Sequence, residues 1–255
     1  VLYQMMPNLP GSSPTRDLKM FKELFVDTRF RPDLLKIYPC ALVKEAPLYK
    51  LWKNKKYKPY TEKQLIGLVK SIKKIIPYYV RIQRITRDIP SHSIVAGPAK
   101  ISNLRQLVAG VCKCIRCREV KGDYDSKEKI YLFRQNYKAS GGKEIFLSFE
   151  NKNRSKLYSL LRLRLTSRNT VIIREIHTYG QLQPIISPPQ RGEPRPAPGG
   201  GPQHKGLGKK LIKKAEGITK KEFCLKKIAV ISGIGVRDYW RHLGYQLESN
   251  YMVKK

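Results

Sequence analysis

Three groups of residues in this chain have types and spacings suited to chemistry. The first is the glycine turn in GPQHKGLGKKLIKKAE, residues 201–216, where Gly206 and Gly208 lead into a lysine-studded, helix-forming run. Backbone N–H groups at a helix start lack internal partners and sit at the positive end of the dipole. Glycine lets an anion approach them without a Cβ in the way, so the turn is a candidate cradle for a phosphate-bearing cofactor. The second group is Cys112, Cys114 and Cys117 in VCKCIRC. They offer three thiolates, one short of a closed tetrahedral zinc site, with Cys40 or His92 among the candidates for the fourth ligand. The third is the arginine series Arg81, Arg84 and Arg87 in YVRIQRITRD, joined by Arg116 and Arg118. Guanidinium groups in such numbers suit the phosphates of a nucleic acid. Each group has a plainer reading: a flexible helix lead-in, buried unligated thiols, and solvated surface charge.

Charge favours the nucleic-acid reading. The 255 residues carry 52 Lys+Arg against 19 Asp+Glu, a formal net charge of +33, while a hydrophobic content of 41% is ample for packed cores. A surplus of that size repels itself on folding and is normally neutralised by a polyanion. A membrane is the weaker candidate, because no uninterrupted apolar stretch is long enough to span a bilayer and the start has no signal-peptide pattern. Five cysteines, an odd number with three clustered, point to a reducing, cytoplasmic setting and to metal rather than disulfides. Cys224 reads as core and His242 as surface.

The elements that must position these groups fall into two textures. VLYQMMPNLPG reads as a short buried strand that begins in mid-stride, as a fragment would. SPTRDLKMFKELF has a helical stripe of Leu18, Phe21, Leu24 and Phe25, LLKIYPCALV a buried strand, and YYVRIQRI another. Between those strands, YTEKQLIGLVKSIKKII combines a Thr61/Gln64 capping box with a stripe of Leu65, Leu68, Val69, Ile72 and Ile75. Alternating helices and strands predict βα units on a parallel sheet or partial barrel. Beyond a boundary near Gly122, KIYLFRQNY, KEIFLSFEN, LYSLLRLRLT and NTVIIREIHTYG read as an antiparallel meander. A proline- and glycine-rich loop follows, then a helix with Leu211, Ile212, Ala215 and Ile218 on its buried face. A strand (KKIAVISGIG), a short helix (VRDYWRHLG) and a last strand (YQLESNYMVKK) close the chain.

Gln203-x-x-Gly206-x-Gly208 resembles the acyl-CoA signature of the GNAT acetyltransferases. REIHTYG, QHKGLGKKL, IAVISGIGVRDYWRHLGY and YMVK are together similar to the acetyltransferase domain of the Elongator catalytic-subunit family, in its archaeal form. MMPNLPGS, RFRPDLLKIYP, LYKLWKNKKYKPYTEKQ, RIQRITRDIPSHSIVAGP, SNLRQL and CKCIRCREV resemble the rear of its radical-SAM domain and its metal-binding linker. The resemblance implies an α/β architecture in which residues 1–100 are the C-terminal part of a radical-SAM barrel and 101–122 a zinc-binding linker. Residues 123–255 would be a GNAT domain with a mobile loop at 181–202.

It further implies a tRNA-binding, acetyl-CoA-dependent acyltransferase that modifies C5 of the wobble uridine. In that mechanism S-adenosylmethionine and a 4Fe-4S cluster supply the radical. The cysteine motif for that cluster lies upstream of where this chain begins, so this polypeptide is expected to bind tRNA and to bind or hydrolyse acetyl-CoA without running the radical step. Glu175, Ile176, His177 and Thr178 would line the pantetheine arm through their backbone. Gln203, Lys205, Gly206, Leu207, Gly208 and Lys209 would hold the diphosphate. Trp240 stands where such enzymes often have a tyrosine, which leaves Tyr239 as the acid for the leaving thiolate. Accessory subunits or a second copy of the chain are further partners. A protein lysine acetyltransferase is the rival enzyme, disfavoured because a surface this basic repels lysine-rich tails. A non-catalytic RNA-binding module with a vestigial glycine turn is the third reading.

Overall fold

Ser13 and Pro14 open helix α1 (Pro14–Val26): the serine side chain accepts the Arg16 N–H, and proline at the first turn forfeits no internal hydrogen bond. The computed structural model describes residues 1–87, 89–97, 101, 103–110, 112–121, 125, 127–166, 170–180 and 206–255. These divide into two units, Val1–Cys117 and Arg118–Lys255.

In the first unit, β1 (Leu2–Met5), β2 (Leu34–Ile37) and β4 (Arg81–Ile85) form a parallel sheet in the order β1-β2-β4. Helix α1 connects the first pair. Helix α3 (Glu62–Ile75) precedes the third strand and starts with the expected Thr61/Gln64 capping box. The two helices pack on each other, and Phe21, Leu24, Leu65, Leu68, Val69 and Ile72 are buried with Leu35, Ile37, Ile82 and Ile85 of the sheet. Apolar side chains at helical spacing are thus opposed by apolar strands, each fully buried one worth roughly 1.5–3 kcal/mol.

β1 is not the buried strand that its composition suggests. It pairs on one side only among the described residues and alternates between exposed and half-buried positions, as an edge strand does. The LLKIYPCALV run likewise breaks after Ile37. Its second part is the two-residue β3 (Leu42–Val43), antiparallel to β5 (Ile94–Ala96), and the short α2 (Leu48–Lys53) follows β3. The turn after β1 is held by Asn8, fully buried at a positive φ of 71°. Its side chain accepts the Tyr60 N–H and donates to the Cys40 carbonyl, and its N–H donates to Asp17. Two short helices, α4 (Leu104–Leu107) and α5 (Ile115–Arg118), end this half of the chain.

In the second unit, β6 (Tyr131–Ala139), β7 (Gly142–Glu150), β8 (Leu157–Leu165) and β9 (Val171–Thr178) form the expected meander. Helix α6 (Leu207–Lys221) leads to β10 (Ile228–Ile231), which lies parallel to β9. Helix α7 (Arg237–Arg241) is followed by the hairpin β11 (Gln246–Glu248) and β12 (Tyr251–Lys254), two strands where the sequence reads as one. Ser249, at a φ of 53°, makes the turn between them. The sheet order is β11-β12-β10-β9-β8-β7-β6.

Leu161 and Leu163 on β8, Val171 and Ile173 on β9, and Val230 on β10 form one core with Leu211, Ile212, Ala215 and Ile218 of α6. Strand alternation sends Arg162 and Arg164 to the other face, where they meet Glu175 and Glu144 at 2.7 and 2.6 Å. Cys224 is not core: it is exposed, just past α6, at a φ of 54°. The boundary residue Gly122 and the proline-rich loop 181–202 lie outside the described residues.

Candidate functional site

The glycine turn meets the sheet where two parallel strands part. β9 and β10 pair only from Val171↔Ile228 to Ile173↔Val230. β9 runs on to Thr178 while β10 ends at Ile231. Among the described residues, no strand takes up the β10 side of β9 beyond Ile173. Backbone polar groups on that edge are therefore available to a ligand, as strand edges commonly are. The parting coincides with a bulge. β8 residues Leu163 and Arg162 oppose Ile173 and Glu175, so Arg174 is an extra residue on β9.

Past the bulge, Ile176 and Thr178 face α6, and their partner there is Gly208. A methyl group at Gly208 would lie 3.6 Å from the Tyr239 hydroxyl, 3.7 Å from Ile176 Cδ1 and 3.8 Å from Thr178 Oγ1. The structure thus brings β9, the first turn of α6 and α7 together around one glycine. Gly206, the residue before the helix, has a φ of 75°, the left-handed region that favours glycine, and no described residue comes within 4 Å of a Cβ placed there. The first α6 hydrogen bond runs from the Lys210 N–H to the Gly206 carbonyl at 3.0 Å. The N–H groups of Leu207, Gly208 and Lys209 are thus the orphan donors of a helix start. The N-cap supplies no side-chain hydrogen bond and the first turn holds no acid, only Lys209 and Lys210. Lysines there oppose the helix dipole, an arrangement that an anion at the helix end turns into an attraction. Leu207 is buried against Val120 and Tyr158, which anchors the turn.

Tyr239 is partly exposed at 39%, and burial pushes its phenol above the ordinary range, so it keeps its proton at neutral pH. Trp240 points the other way: it is 3% exposed and packs edge-on against Tyr245 with ring centroids 5.0 Å apart. A core indole at this position leaves Tyr239 as the hydroxyl that reaches Gly208. Glu175 and His177 take the face of β9 away from α6. Glu175 is ion-paired with Arg162, and the exposed His177 ring lies 4.3 Å from that of Tyr179. Neither side chain is placed as an acid or base toward the glycine turn. Gln203, His204 and Lys205 lie outside the described residues.

The cysteine triad is assembled as its spacing suggests. The Sγ atoms of Cys112, Cys114 and Cys117 all lie within 4.8 Å of one another. Sulfurs about 2.3 Å from a shared tetrahedral zinc would be just under 4 Å apart, so the donor set fits that ion. The Ile115 N–H bonds the Val80 carbonyl and the Ile115 side chain is fully buried, which pins the cluster to the residue just before β4. Thiol hydrogen bonds from Cys112 and then Cys117 hold Cys114 far below the usual thiol range, so one thiolate is already favoured. Neither proposed fourth ligand joins the cluster among the described residues. Cys40 is buried beside Tyr57, burial pushing its thiol up, and His92 is exposed in a short helical turn. Sequence reasoning overlooked two nearby cations. Buried Lys73 donates to the Val108 carbonyl, and Arg105 to the Gln83 carbonyl at 3.3 Å.

The arginines separate. Arg84 and Arg87 are exposed, Arg81 is half-buried, and the exposed Arg116 donates to the Gln83 carbonyl at 2.6 Å. Arg118 is a correction: it is 5% exposed and ion-paired at 2.7 Å with the fully buried Glu150, so it holds the fold and does not face solvent. Arg154 and Ser148 complete that carboxylate's partners.

Among the described residues, no helix is long and apolar enough to cross a membrane. Residues 32–113 match the model of the radical-SAM C-terminal domain. The whole chain is 44% identical to a Methanocaldococcus jannaschii protein named tRNA uridine(34) acetyltransferase, covering 49% of that protein. It is 39% identical to Saccharomyces cerevisiae Elongator complex protein 3, covering 48% of it. The chain therefore spans about half the length of these curated relatives. Among solved structures, archaeal Methanocaldococcus infernus Elp3 with an N-terminus deletion superposes at a TM-score of 0.85 with 42% identity, over 100% of this chain and 62% of that one.

Proposed function

The chain is a close homologue of the tRNA uridine(34) acetyltransferases and of Elongator complex protein 3, and from this and the site geometry we propose that it binds acetyl-CoA and tRNA as part of a wobble-uridine modifying acyltransferase. The second unit is then a GNAT domain. The N–H groups of Leu207, Gly208 and Lys209 would take the diphosphate of acetyl-CoA, with Gln203, Lys205 and the Lys209 side chain adding donors and charge. The open edge of β9 from Glu175 to Thr178 would pair with the pantetheine amides. Tyr239 would give its proton to the thiolate as the acyl group leaves. The observation that carries this reading is the convergence of Ile176, Thr178 and Tyr239 on Gly208 beside a strand pair that parts.

The first unit would be the rear of a radical-SAM barrel, consistent with its domain match. S-adenosylmethionine and a 4Fe-4S cluster belong to the radical chemistry of that family. Cys112, Cys114 and Cys117 would hold zinc, which ties the segment after α4 to β4 and so stabilises the fold. Arg81, Arg84, Arg87 and Arg116 would contact tRNA phosphates.

Acetyl-CoA titration of the chain and of Gly206→Arg, followed by turnover with and without tRNA, tests the proposal. Binding lost in the variant and turnover stimulated by tRNA are expected. Unchanged binding in Gly206→Arg overturns the pocket. Stimulation by lysine-rich peptides in place of tRNA assigns the domain to protein acetylation.

A further inference from the structure

Helix α6 has a second face that the acyl-CoA reading does not use. Its apolar side is spent in the core, while Lys213, Lys214, Lys220 and Lys221 are exposed together with Lys226 just beyond it. The carboxylates nearby are already engaged. Glu222 is paired with Arg134 at 2.5 Å, Glu216 with Lys254 at 3.1 Å, and Glu248 with Lys227 at 2.5 Å and Lys255 at 3.1 Å. Positions 209 with 213 and 210 with 214 are like-charged pairs at i,i+4, which destabilise a helix. Local stability therefore does not explain the pattern.

Gly217 is the second observation. It sits between the two lysine pairs on the same side of the helix, and a Cβ there would meet nothing within 4 Å. It turns no corner, since its φ is not positive. A mid-helix glycine costs about 1 kcal/mol relative to alanine, and no neighbour among the described residues requires one here. What it provides is a bare stretch of helix flanked by four cations, where a chain of phosphates can approach the backbone closely.

We propose that this face of α6, centred on Gly217 and flanked by Lys213, Lys214, Lys220 and Lys221, is a contact surface for the sugar–phosphate backbone of RNA. The proposal rests on the tRNA reading above and assigns the acetyltransferase half a contact of its own, separate from the arginines of the first unit. RNA fits better than an acidic protein segment. The lysines line a helix face about 9 residues, or roughly 13 Å, long, with the bare Gly217 at its centre. The cavity of about 350 Å³ beside Lys220, which reaches Leu225 and Lys254, lies at the edge of this face and leaves its centre without an anchor for protein side chains.

The test measures binding of an unmodified tRNA transcript to the full chain across a salt series. The quadruple Lys→Gln variant at 213, 214, 220 and 221 is expected to lower affinity at least about tenfold and to reduce the log–log salt slope by about 3, somewhat under one unit per lost contact. Its acetyl-CoA binding should stay as in the parent. Gly217→Gln should weaken tRNA binding severalfold without lowering Tm, and Gly217→Ala should raise Tm by about 2–4 °C. The proposal is overturned if the quadruple variant binds tRNA like the parent while Arg84→Gln/Arg87→Gln/Arg116→Gln binds it weakly. If the parent does not bind tRNA at all, the tRNA reading itself falls. If polyglutamate matches tRNA in affinity and Gly217→Gln alters neither, the face belongs to an acidic protein instead.

Discussion

Gly206 and Gly208 stand two residues apart in one turn, yet replacing each with alanine should move stability in opposite directions. At Gly206 the φ of 75° sets the cost, because a methyl group there meets nothing within 4 Å among the described residues. An L-residue forced into that region loses roughly 1–2 kcal/mol, or about 2–8 °C in Tm for a chain of this size. Gly208 lies inside α6 at helical dihedrals, and its added methyl group makes ordinary contacts of 3.6–3.8 Å with Tyr239, Ile176 and Thr178. Removing a helical glycine returns up to about 1 kcal/mol, so Gly208→Ala should leave Tm unchanged or raise it. The order reverses for turnover: the Gly208 methyl group fills the space beside the Tyr239 hydroxyl, whereas the Gly206 one meets no described residue. Differential scanning calorimetry beside isothermal titration with acetyl-CoA reads both effects. Two equal losses of Tm, or a Gly206→Ala variant as stable as the parent, would refute the assignment of these glycines to backbone conformation and close packing respectively.

Tyr239→Phe should lower acetyl-CoA turnover by about 10²-fold or more with binding nearly unchanged, the signature of a lost proton donor. Because burial raises the phenol's pKa, the parent's rate should hold through pH 9 and fall only as the phenol ionises. Cys114→Ser should lose stoichiometric zinc by elemental analysis, and a chelator should destabilise the parent but not the variant. Arg118→Ala should cost about 3 kcal/mol in chemical denaturation, because it removes one partner of a carboxylate with no exposure. Burial alone would raise Glu150, but Arg154, Arg118 and Ser148 outweigh it and hold its pKa below the ordinary value. That stability is present above the unfolded carboxylate's pKa, near 4.3, and is lost as pH falls through the depressed folded value. The loss should be smaller in Arg118→Ala.

Much of the fold can be read from local pattern where one residue's role depends on its neighbours along the chain. The Thr61/Gln64 box and the α3 stripe are such cases, because capping and helical periodicity act within a turn or two. So is the LYSLLRLRLT alternation, which divides leucines from arginines across β8. Failures arise where a distant partner decides. Arg118 looks like any surface arginine until Glu150, 32 residues on, is seen to bury it. β1 looks like core until it is seen to pair on one side only among the described residues. Cys224 sits between the apolar Phe223 and Leu225, yet its left-handed turn carries it outward. The convergence of Thr178, Gly208 and Tyr239 needs the third dimension altogether, although each residue is conspicuous in its own motif.

The extra residue at Arg174 makes β9 two half-strands out of phase. Were Arg174 paired regularly instead of bulged, a strict two-residue period would carry Val171 and Ile173 forward to Glu175 and His177, and charge would point at α6. With the bulge, the side chains turn over halfway along, so the leading half feeds the core and the trailing half offers Ile176 and Thr178 to the helix. Pairing Arg174 regularly with β8 would exchange an apolar lining for an acid and an imidazole, whereas excising it would straighten the strand and keep Ile176 and Thr178 toward the helix. The identity of the pocket wall is thus governed by which residue is left out of the ladder as much as by the kinds of residue in it.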